Sequence, residues 1–135
     1  MDNLNLLDNV TIHSNVTIGN LAEQKACAFL ENHGLQLLEK NFSVINENGK
    51  KIGEIDLIMR DKNYYVFIEV KKRQNPAHGD VLEMISKSKK SRIIRTATHY
   101  LLRHCLWNFA YCRFDVIGIT PEKITWIKDA FQVQY

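Results

Sequence analysis

Acidic side chains interrupt two apolar segments of the chain, at positions where a buried strand would ordinarily carry none. The segments are IGEIDLIMR, residues 52–60, and YYVFIEVKKR, residues 64–73. Because side chains alternate between the two faces of a strand, Glu54 and Asp56 share one face of the first segment. Glu69 and Lys71 share one face of the second. Both segments are apolar on both faces, which is typical of central strands, so their charged residues predict a functional site.

The turn between the segments predicts how these side chains meet across a β-hairpin. If residues 62–63 form a two-residue loop, Asp56 lies opposite Glu69. The same register places Glu54 opposite Lys71 on the same face. A four-residue loop would keep this register, whereas a three-residue loop would shift it and separate the faces. Two of the three common loop lengths therefore predict one face bearing all four side chains.

Two opposed carboxylates in a partly dry site require a counter-charge. Directly opposed residues have Cβ atoms roughly 4.5–5.5 Å apart, a separation at which like charges repel. A proton, Lys71 or a cation could neutralise the pair, and a hard divalent metal does so most directly. Oxygen ligands with open positions favour magnesium or manganese over zinc. The alternative is a salt bridge within the hairpin, from Glu54 or Glu69 to Lys71, with Asp56 at a solvated strand end.

Composition and charge indicate one domain with a polyanionic partner. The 135 residues are 45% hydrophobic, which is enough apolar material for one core. The formal net charge is only +3, but residues 71–103 contain nine Lys or Arg and two acids, a local charge of +7. A basic segment next to an acidic metal site suits a polyanionic substrate that must be cut or held. Taken alone, the same charge run would be explained by a solvated helix face.

Cysteine usage and hydropathy exclude several classes of protein. Cys27, Cys105 and Cys112 are odd in number and lack CxxC spacing, so we expect a reducing cytoplasm rather than a disulfide framework or a zinc ribbon. No stretch approaches about eighteen consecutive apolar residues, so no membrane span is expected. The N-terminus lacks a basic region followed by an apolar core, so no secretory signal is expected either.

A first helix is predicted over residues 19–34, with Gly34 ending it. Its buried stripe follows the i, i+4, i+7, i+8 spacing at Ala22, Ala26, Phe29, Leu30 and His33. Glu23 lies at the edge of this stripe. In that position it either points into a cleft shared with the paired acids or merely interacts favourably with the helix dipole. The spacing alone does not decide between these alternatives.

The remaining segments complete an α/β arrangement. Strand patterns occupy residues 35–45, 52–60, 64–73, 111–119 and 124–127. A second helix is predicted from a capping box at Asp80 and Glu83, and its basic middle is expected to face phosphates. The order is helix, three strands, helix, two strands, which predicts an α/β sandwich around a mixed sheet of about five strands. Residues 1–18 are assigned as an N-terminal extension and residues 19–135 as a single domain.

Five short motifs, spread over nearly the whole chain, resemble those of one known family. They are Gly19-Asn20-Leu21-Ala22-Glu23, Gly53-Glu54-Ile55-Asp56, Phe67-Ile68-Glu69-Val70-Lys71-Lys72-Arg73, Arg113-Phe114-Asp115 and Asp129-Ala130-Phe131. This ordered set is similar to that of the bacterial YraN family, whose members are proposed to be endonucleases. That family resembles the archaeal Holliday-junction resolvases and the wider PD-(D/E)xK superfamily. The resemblance implies a restriction-endonuclease-like core, in which a central mixed sheet is flanked by helices.

The resemblance also implies a metal-dependent site. In the superfamily, the residues that match Asp56 and Glu69 bind magnesium or manganese together with the backbone carbonyl of the residue that matches Val70. Lys71 matches the lysine that orients or deprotonates the attacking water. Glu23 matches an acid of the first helix that binds a metal or its water. These roles are expectations that follow from the resemblance.

Basic residues near this site are expected to hold the DNA backbone. Lys89 matches a lysine that the family carries on its helix, and Lys90 stands where the family commonly has glutamine, so the sequence does not decide which of them reaches a phosphate. The residues expected to bind nucleic acid are Lys72, Arg73, Lys87, Lys89, Lys90 and Arg92. Contacts of this kind carry little sequence information.

The sequence therefore predicts one function and leaves alternatives open. The first hypothesis is a magnesium-dependent DNA endonuclease that acts on branched or otherwise structured DNA. The alternative is a non-catalytic nucleic-acid-binding module that retains the nuclease fold. A weaker alternative is an interaction subunit whose acids form only a salt-bridge network. Resolvases cut two strands, so a homodimer is suggested, by analogy alone.

Overall fold

The described part of the chain forms five strands and two α-helices. The computed structural model describes residues 14–73, 81–108 and 110–133. In chain order, the elements are helix α1 (Ser14–Asn32), strands β1 (Gln36–Ile45), β2 (Lys51–Asp61) and β3 (Tyr64–Lys72), a 3-10 helix (Val81–Met84), helix α2 (Lys87–Arg103), and strands β4 (Tyr111–Ile119) and β5 (Ile124–Phe131). The predicted order of helices and strands is confirmed, and the 3-10 helix is an addition to it.

The strands form one mixed sheet in the order β1-β2-β3-β4-β5. Neighbouring strands are antiparallel, except that β3 and β4 run parallel, with Glu69 beside Val116 and Lys71 beside Gly118. A parallel pair requires a crossover connection, and α2 lies within it. Strands β2 and β3 have neighbours on both sides, as their apolar faces predict. The predicted α/β class with a mixed central sheet is therefore confirmed.

The hairpin of β2 and β3 has the register that a two-residue loop at 62–63 predicts. The first residue of this loop has a φ of 56°, the left-handed conformation that such tight turns use. The last described pair of the ladder is Leu57 with Ile68. Asp56 and Glu69 are the next residues on the two strands, so the turn brings them to the same end of the ladder.

The core lies on both sides of the sheet. On the α1 side, the buried residues include Ala26, Cys27, Leu30, Leu57, Met59, Val66, Ile68 and Ile117. On the α2 side, they include Phe42, Ile55, Ile58, Phe67, Ile93, Ala97, Tyr100 and Phe114. Because both faces of the central strands are covered, those strands are apolar on both faces in the sequence.

Strand β2 does not keep the strict alternation that the sequence predicts. Ile55 and Ile58 both pack on the α2 side, whereas Leu57 packs on the α1 side. The alternation breaks at Asp56. The facing residue of β1 is Asn41, which lies between two regular pairs and has a φ of 53°. A left-handed residue does not continue the pleat, so side chains on either side of this position change faces.

The prediction that four charged side chains share one face is therefore wrong for Glu54. Gly53 faces α2 so closely that a Cβ there would collide with Oγ1 of Thr96. Its neighbour Glu54 consequently faces the opposite side of the sheet, away from Lys71. Glu54 pairs instead with Lys51, whose Nζ lies 2.7 Å from Oε2.

Helix α2 begins later than the sequence predicts. Its N-cap is Ser86, whose hydroxyl accepts a hydrogen bond from the backbone N–H of Lys89 at 3.1 Å. The predicted capping box does not start the helix, because the residues around Glu83 form the 3-10 helix instead. Asp80, its other member, lies outside the described residues. The basic run is therefore the first part of α2 rather than its middle.

Helix α1 begins at Ser14 rather than at Gly19 and ends as predicted, with Gly34 at a φ of 94° after it. Gly19 lies inside the helix, where glycine costs roughly 0.5–1 kcal/mol relative to alanine without breaking the helix. Of the predicted stripe, Leu30 is fully buried and His33 is exposed. Proximity to the helix end explains the exposure of His33.

Two further predictions concern the N-terminal extension and membrane spans. Residues 1–13, most of the predicted N-terminal extension, lie outside the described residues. In the part of the chain that the structure does describe, neither helix is long and apolar enough to cross a membrane.

Candidate functional site

The acids Asp56 and Glu69 meet at the end of the β2–β3 ladder. Oδ2 of Asp56 accepts a hydrogen bond from the backbone N–H of Val70 at 2.8 Å. The two carboxyl groups also hydrogen-bond to each other. Glu69 is only 5% exposed, although glutamate is among the residues that are seldom buried without a partner. The structure thus brings the two predicted acids together.

Burial leaves this acid pair short of positive charge. Desolvation, the hydrogen bond with Glu69 and repulsion by its carboxylate raise the pKa of Asp56 from an ordinary 3.8 to about 8. The backbone N–H of Val70 acts in the opposite direction and is outweighed. At neutral pH the two carboxyl groups therefore share a proton unless another cation replaces it. Carboxyl groups with such perturbed pKa values are concentrated at functional sites.

Lys89 reaches the acid pair from α2. Its Nζ lies 3.3 Å from Oε2 of Glu69. Successive helical residues point about 100° apart around the axis, so Lys90 cannot point in the same direction. Nζ of Lys90 instead lies 5.8 Å from the centroid of the Phe131 ring. Of the two lysines between which the sequence does not decide, Lys89 is the one beside the acids.

Glu23 of α1 interacts electrostatically with the same acids. Its pKa is raised, chiefly by burial, and repulsion from Glu54 and Glu69 adds to this effect. A hydrogen bond with the side chain of Asn41 opposes the shift. Glu23 is thus an electrostatic neighbour of Asp56 and Glu69.

Asn41 is a site residue that the sequence analysis does not identify. Its left-handed backbone interrupts β1 opposite Asp56, and its side chain bonds to Glu23. Few residues other than glycine adopt a positive φ, and asparagine is among those that tolerate it best. An asparagine inside an otherwise regular strand pattern is the signal that could have identified it.

Lys71 follows Glu69 by two residues on β3 and lies on the same side of the sheet. It is half-buried and stands beside Gly118 of β4 in the parallel register. A Cβ on Gly118 would collide with Val81, so the 3-10 helix packs directly against this part of β4. The surroundings of Lys71 are therefore formed by two strands and the segment that crosses above them.

The other predicted basic residues lie on two elements that adjoin the acids. Lys72 is exposed at the end of β3. Arg73 is half-buried, and its backbone N–H donates to the carbonyl of Ile119 at 2.7 Å. Lys87 and Arg92 are exposed on the first part of α2. These cations therefore lie on or next to β3 and α2, the elements that carry Glu69 and Lys89.

The acid pair fits an open magnesium site better than a closed structural one. Among the described residues, no group of three or more His, Cys, Asp and Glu side chains lies close enough to hold a metal alone. Asp56 and Glu69 supply carboxylate oxygens, the ligands that magnesium and manganese prefer. Magnesium is commonly held by one or two carboxylates and completes its shell with waters and substrate phosphates. The two carboxyl groups of Asp56 and Glu69 match this number and type of ligand.

A second buried acid, Asp115 of β4, is fully paired within the fold. It is 0% exposed. Arg113 Nε and the backbone N–H of Asp129 donate to Oδ1 at 3.0 and 2.9 Å, and Trp126 Nε1 donates to Oδ2 at 3.0 Å. Arg113 also bonds to Asp61 at 2.9 Å. Arg113 and Asp115, which belong to one of the five motifs, therefore have a structural role in this network, and Asp129 of another motif contributes its backbone N–H.

Fold and site together define an α/β protein whose mixed sheet presents a buried acid pair flanked by lysines. Residues 22–119 match the model of the uncharacterised protein family UPF0102. Since the match spans most of the chain, the protein belongs to this family. The predicted resemblance to the YraN family is thereby confirmed, because UPF0102 is the YraN family. The description of the family states no activity.

Relatives from several organisms are similar over nearly their full length. The UPF0102 protein of Nitrosococcus oceani is 43% identical over 120 residues, which cover 86% of this chain and 92% of the relative. A UPF0102 protein of Coxiella burnetii is 44% identical over 119 residues, or 87% and 94% of the two chains. That of Shewanella amazonensis is 44% identical over 113 residues, or 84% and 97%.

Comparison with solved structures gives a weaker likeness. A structure described as "Crystal structure of SSO0001" superposes with a TM-score of 0.43 and 17% sequence identity, over 98% of this chain and 60% of the other. This chain therefore spans less than two thirds of that one.

Proposed function

We propose that this protein is a metal-dependent DNA endonuclease that hydrolyses phosphodiester bonds, acting on branched or otherwise structured DNA. The observation that carries the proposal is the hydrogen-bonded pair of half-buried Asp56 and buried Glu69. Lys89 contacts Glu69, and Lys71 lies two residues further along β3. Carboxylates that hold a cation next to groups that bind phosphate are what phosphodiester hydrolysis requires. The preference for branched DNA follows only from the resemblance to Holliday-junction resolvases.

In this proposal, magnesium or manganese is held by the carboxylates of Asp56 and Glu69, by the backbone carbonyl of Val70 and, directly or through water, by Glu23. When bound, the metal supplies neutralisation of the phosphate charge and a more acidic water. The raised pKa of Asp56 supports this assignment, since it reflects the repulsion that a cation would relieve. A hydrogen bond to the side chain of Asn41 constrains the carboxyl group of Glu23.

Two lysines have separate roles at this site. Lys71 orients the attacking water and stabilises the negative charge that develops on the phosphate. Lys89, in contact with Glu69, orients that carboxyl group until substrate arrives. Replacing Lys71 by methionine should lower the rate by about 100- to 10,000-fold, the range typical of a general acid–base group.

The backbone of the substrate on either side of the cut is held by cations at the end of β3 and the start of α2. These are Lys72, Arg73, Lys87, Lys90 and Arg92. Contacts to phosphates position a nucleic acid but do not read its bases. The proposal therefore includes no sequence preference.

Cleavage of defined DNA by the purified protein is the direct test. Branched, duplex and single-stranded DNA are incubated with the protein, with and without magnesium. We expect cleavage that requires magnesium and is lost in Asp56→Ala and in Glu69→Ala. Glu31→Ala, which removes an exposed acid from α1, is the matched control and should cleave normally. Cleavage that survives both site substitutions would come from a contaminant and would contradict the proposal.

The second candidate function is a non-catalytic nucleic-acid-binding module. Lys89 and a shared proton together could neutralise the acids without any metal, which is the observation that favours this alternative. It predicts salt-sensitive DNA binding that is independent of divalent ions. Calorimetry with manganese separates the two functions, because binding that is lost in Asp56→Ala is expected only of the enzyme.

Two partner and compartment predictions accompany the proposal. Cutting both strands of a junction calls for a homodimer, by analogy with the resolvases. Cys27 is buried, Cys105 and Cys112 are exposed, and all three are free. We propose that the protein works in the reducing cytoplasm, where thiols are kept reduced.

A further inference from the structure

A groove lies between α2 and the end of β5, beside the acid pair but separate from it. Its volume is about 940 Å³, near the upper end of the range usual for ligand pockets. From α2 it is lined by Lys87, Lys90, Ser91 and Arg95, and from the end of β5 by residues 129–133. None of the acids proposed to bind metal lines this groove.

Helix geometry explains why adjacent lysines reach different places. At about 100° per residue, the buried residues Ile93, Ala97 and Tyr100 lie within roughly 80° of the direction of Lys89, so Lys89 points into the sheet. Lys90 leaves the helix about 100° from Lys89 and Lys87 about 160° from it, on the flank that faces β5. The helix thus directs one lysine to the acids and the others to the groove.

The groove carries a net positive charge. Lys87, Lys90 and Arg95 line it, and Asp129 is the acid among its lining residues. The carboxylate of Asp129 accepts a hydrogen bond from Nε2 of Gln132 at 3.2 Å, which partly satisfies it. The three cations all come from α2, so they can bind a ligand that carries several negative charges in a row. A small carboxylate ligand would need only one cation.

The sheet register places this groove on the side of the acid pair and close to it. Phe131 on β5 pairs with Phe114 on β4, which pairs with Phe67 on β3, two residues before Glu69. Two strand spacings of about 4.8 Å and two residue rises of about 3.3 Å separate Glu69 from Phe131 by roughly 12 Å. One strand of a duplex rises about 3.4 Å per nucleotide, so this distance corresponds to three or four nucleotides.

We propose that this groove binds the phosphodiester backbone of the nucleic-acid strand that flanks the cut, with Lys90 and Arg95 as its main anchors. The position of the cut rests on the proposed function, whereas the binding itself does not. Lys89 and Lys90 then act on different parts of one substrate: Lys89 beside the acids, and Lys90 several nucleotides along the strand. Arg95, which the motifs do not single out, becomes a nucleic-acid-binding residue.

Salt-dependent binding of single-stranded DNA tests this proposal. The full-length protein is titrated into a short fluorescein-labelled oligonucleotide in EDTA, over a series of sodium chloride concentrations, and anisotropy is recorded. Each lost phosphate contact lowers the slope of log affinity against log salt by about 0.7 for a single strand. The Lys90→Gln/Arg95→Gln variant should therefore bind at least about tenfold more weakly, with a slope lower by about 1.4.

The matched control is Lys25→Gln, which removes an exposed cation from α1 on the other side of the sheet. It should bind with the wild-type slope. Circular dichroism melting establishes that each variant is folded. If the double variant kept the wild-type affinity and slope, or if Lys25→Gln lost as much affinity as the double variant, the groove would not be the binding site. Because these measurements contain no metal, a protein that binds in this way but never cleaves would contradict the proposed nuclease and leave the groove supported.

Discussion

Two acidic clusters lie in the same sheet, one at the buried Asp115 and one at half-buried Asp56 with buried Glu69, and their hydrogen bonding differs sharply. Asp115 is fully buried, and its two oxygens accept hydrogen bonds from Arg113, Trp126 and a backbone N–H. Asp56 accepts one hydrogen bond from a backbone N–H and meets the carboxyl group of Glu69. In the first cluster an acid is surrounded by donors, and in the second an acid is packed against another acid.

The difference separates a structural acid from a candidate functional one. A guanidinium that binds two carboxylate oxygens satisfies Asp115 and needs no further ligand. In the pair of Asp56 and Glu69, one carboxyl group is packed against the other, Lys89 contacts Glu69, and the pKa of Asp56 is raised. Proteins often leave buried polar groups without full hydrogen bonding at their functional sites. The comparison predicts opposite responses of the two clusters to the same kind of substitution.

The largest expected effect is on the stability of the Asp115 cluster. Asp115→Asn removes the buried charge that pairs with Arg113 and should lower the free energy of unfolding by about 3–5 kcal/mol. Asp56→Asn, the matched change in the other cluster, should cost less than about 1 kcal/mol or even stabilise the metal-free protein, because it removes repulsion. Urea denaturation measures both. Equal losses in the two variants would show that the two clusters do not differ in this way.

The next effect is the pH dependence of stability. The pKa of Asp56 is higher in the folded chain than in the unfolded one, so the folded state binds the proton more tightly. This contribution to stability is complete in acid and is lost as the pH rises from the unfolded pKa towards about 8. In EDTA, the wild type should lose up to about 2.7 kcal/mol between about pH 5.5 and pH 7.5, at 1.36 kcal/mol per unit.

The same titration of Asp56→Asn isolates this contribution. Every other group is common to the two proteins, so its effect cancels in the difference between the two curves. We expect the difference to grow steadily with pH over that window. A difference that stays constant would mean that Asp56 is already ionised, as it would be if Lys89 alone satisfied the pair.

A smaller loss of stability is expected at the contact that brings α2 onto β2. Gly53→Ala introduces a Cβ that collides with Oγ1 of Thr96, at a cost of about 1–3 kcal/mol. It should also weaken the contact between Lys89 and Glu69, since α2 carries the lysine. The Gly53→Ala/Thr96→Ala double variant removes the colliding hydroxyl and should recover part of the loss. Strictly additive effects of the two changes would refute this account of the contact.

The smallest predicted effect is stabilisation by metal. At a magnesium concentration about ten times the dissociation constant, the free energy of unfolding should rise by about 1.4 kcal/mol. Asp115→Asn should keep this increment despite its low stability, whereas Asp56→Asn should lose it. Thermal unfolding with and without magnesium measures the increment. An increment that persists in Asp56→Asn would place the metal elsewhere.

Local rules were enough to predict the hairpin. The length of its loop determines the register, and the register brings Asp56 to Glu69. The central place of the two strands in the sheet was also predictable. A strand that is buried on both faces is apolar on both faces, and both strands show this pattern.

Features that depend on contacts between distant segments were not predictable in the same way. The break in β2 arises from the backbone of Asn41 on another strand, so alternation within β2 cannot reveal it. The start of α2 was misplaced because Asp80 and Glu83 match a capping pattern as well as Ser86 does, and the packing of the 3-10 helix decides between them. The donors of Asp115 come partly from β5, at Trp126 and at the backbone of Asp129, and the pattern of β4 alone does not reveal these partners.

The central claim is that Asp56 and Glu69 hold a divalent metal. Crystals soaked in manganese above pH 8, where Asp56 is ionised, allow the metal to be located by its anomalous scattering. The account predicts a peak between these two carboxylates, and none at Asp115, whose oxygens are already paired. The absence of a peak between Asp56 and Glu69, with Lys89 still bonded to Glu69, would contradict it.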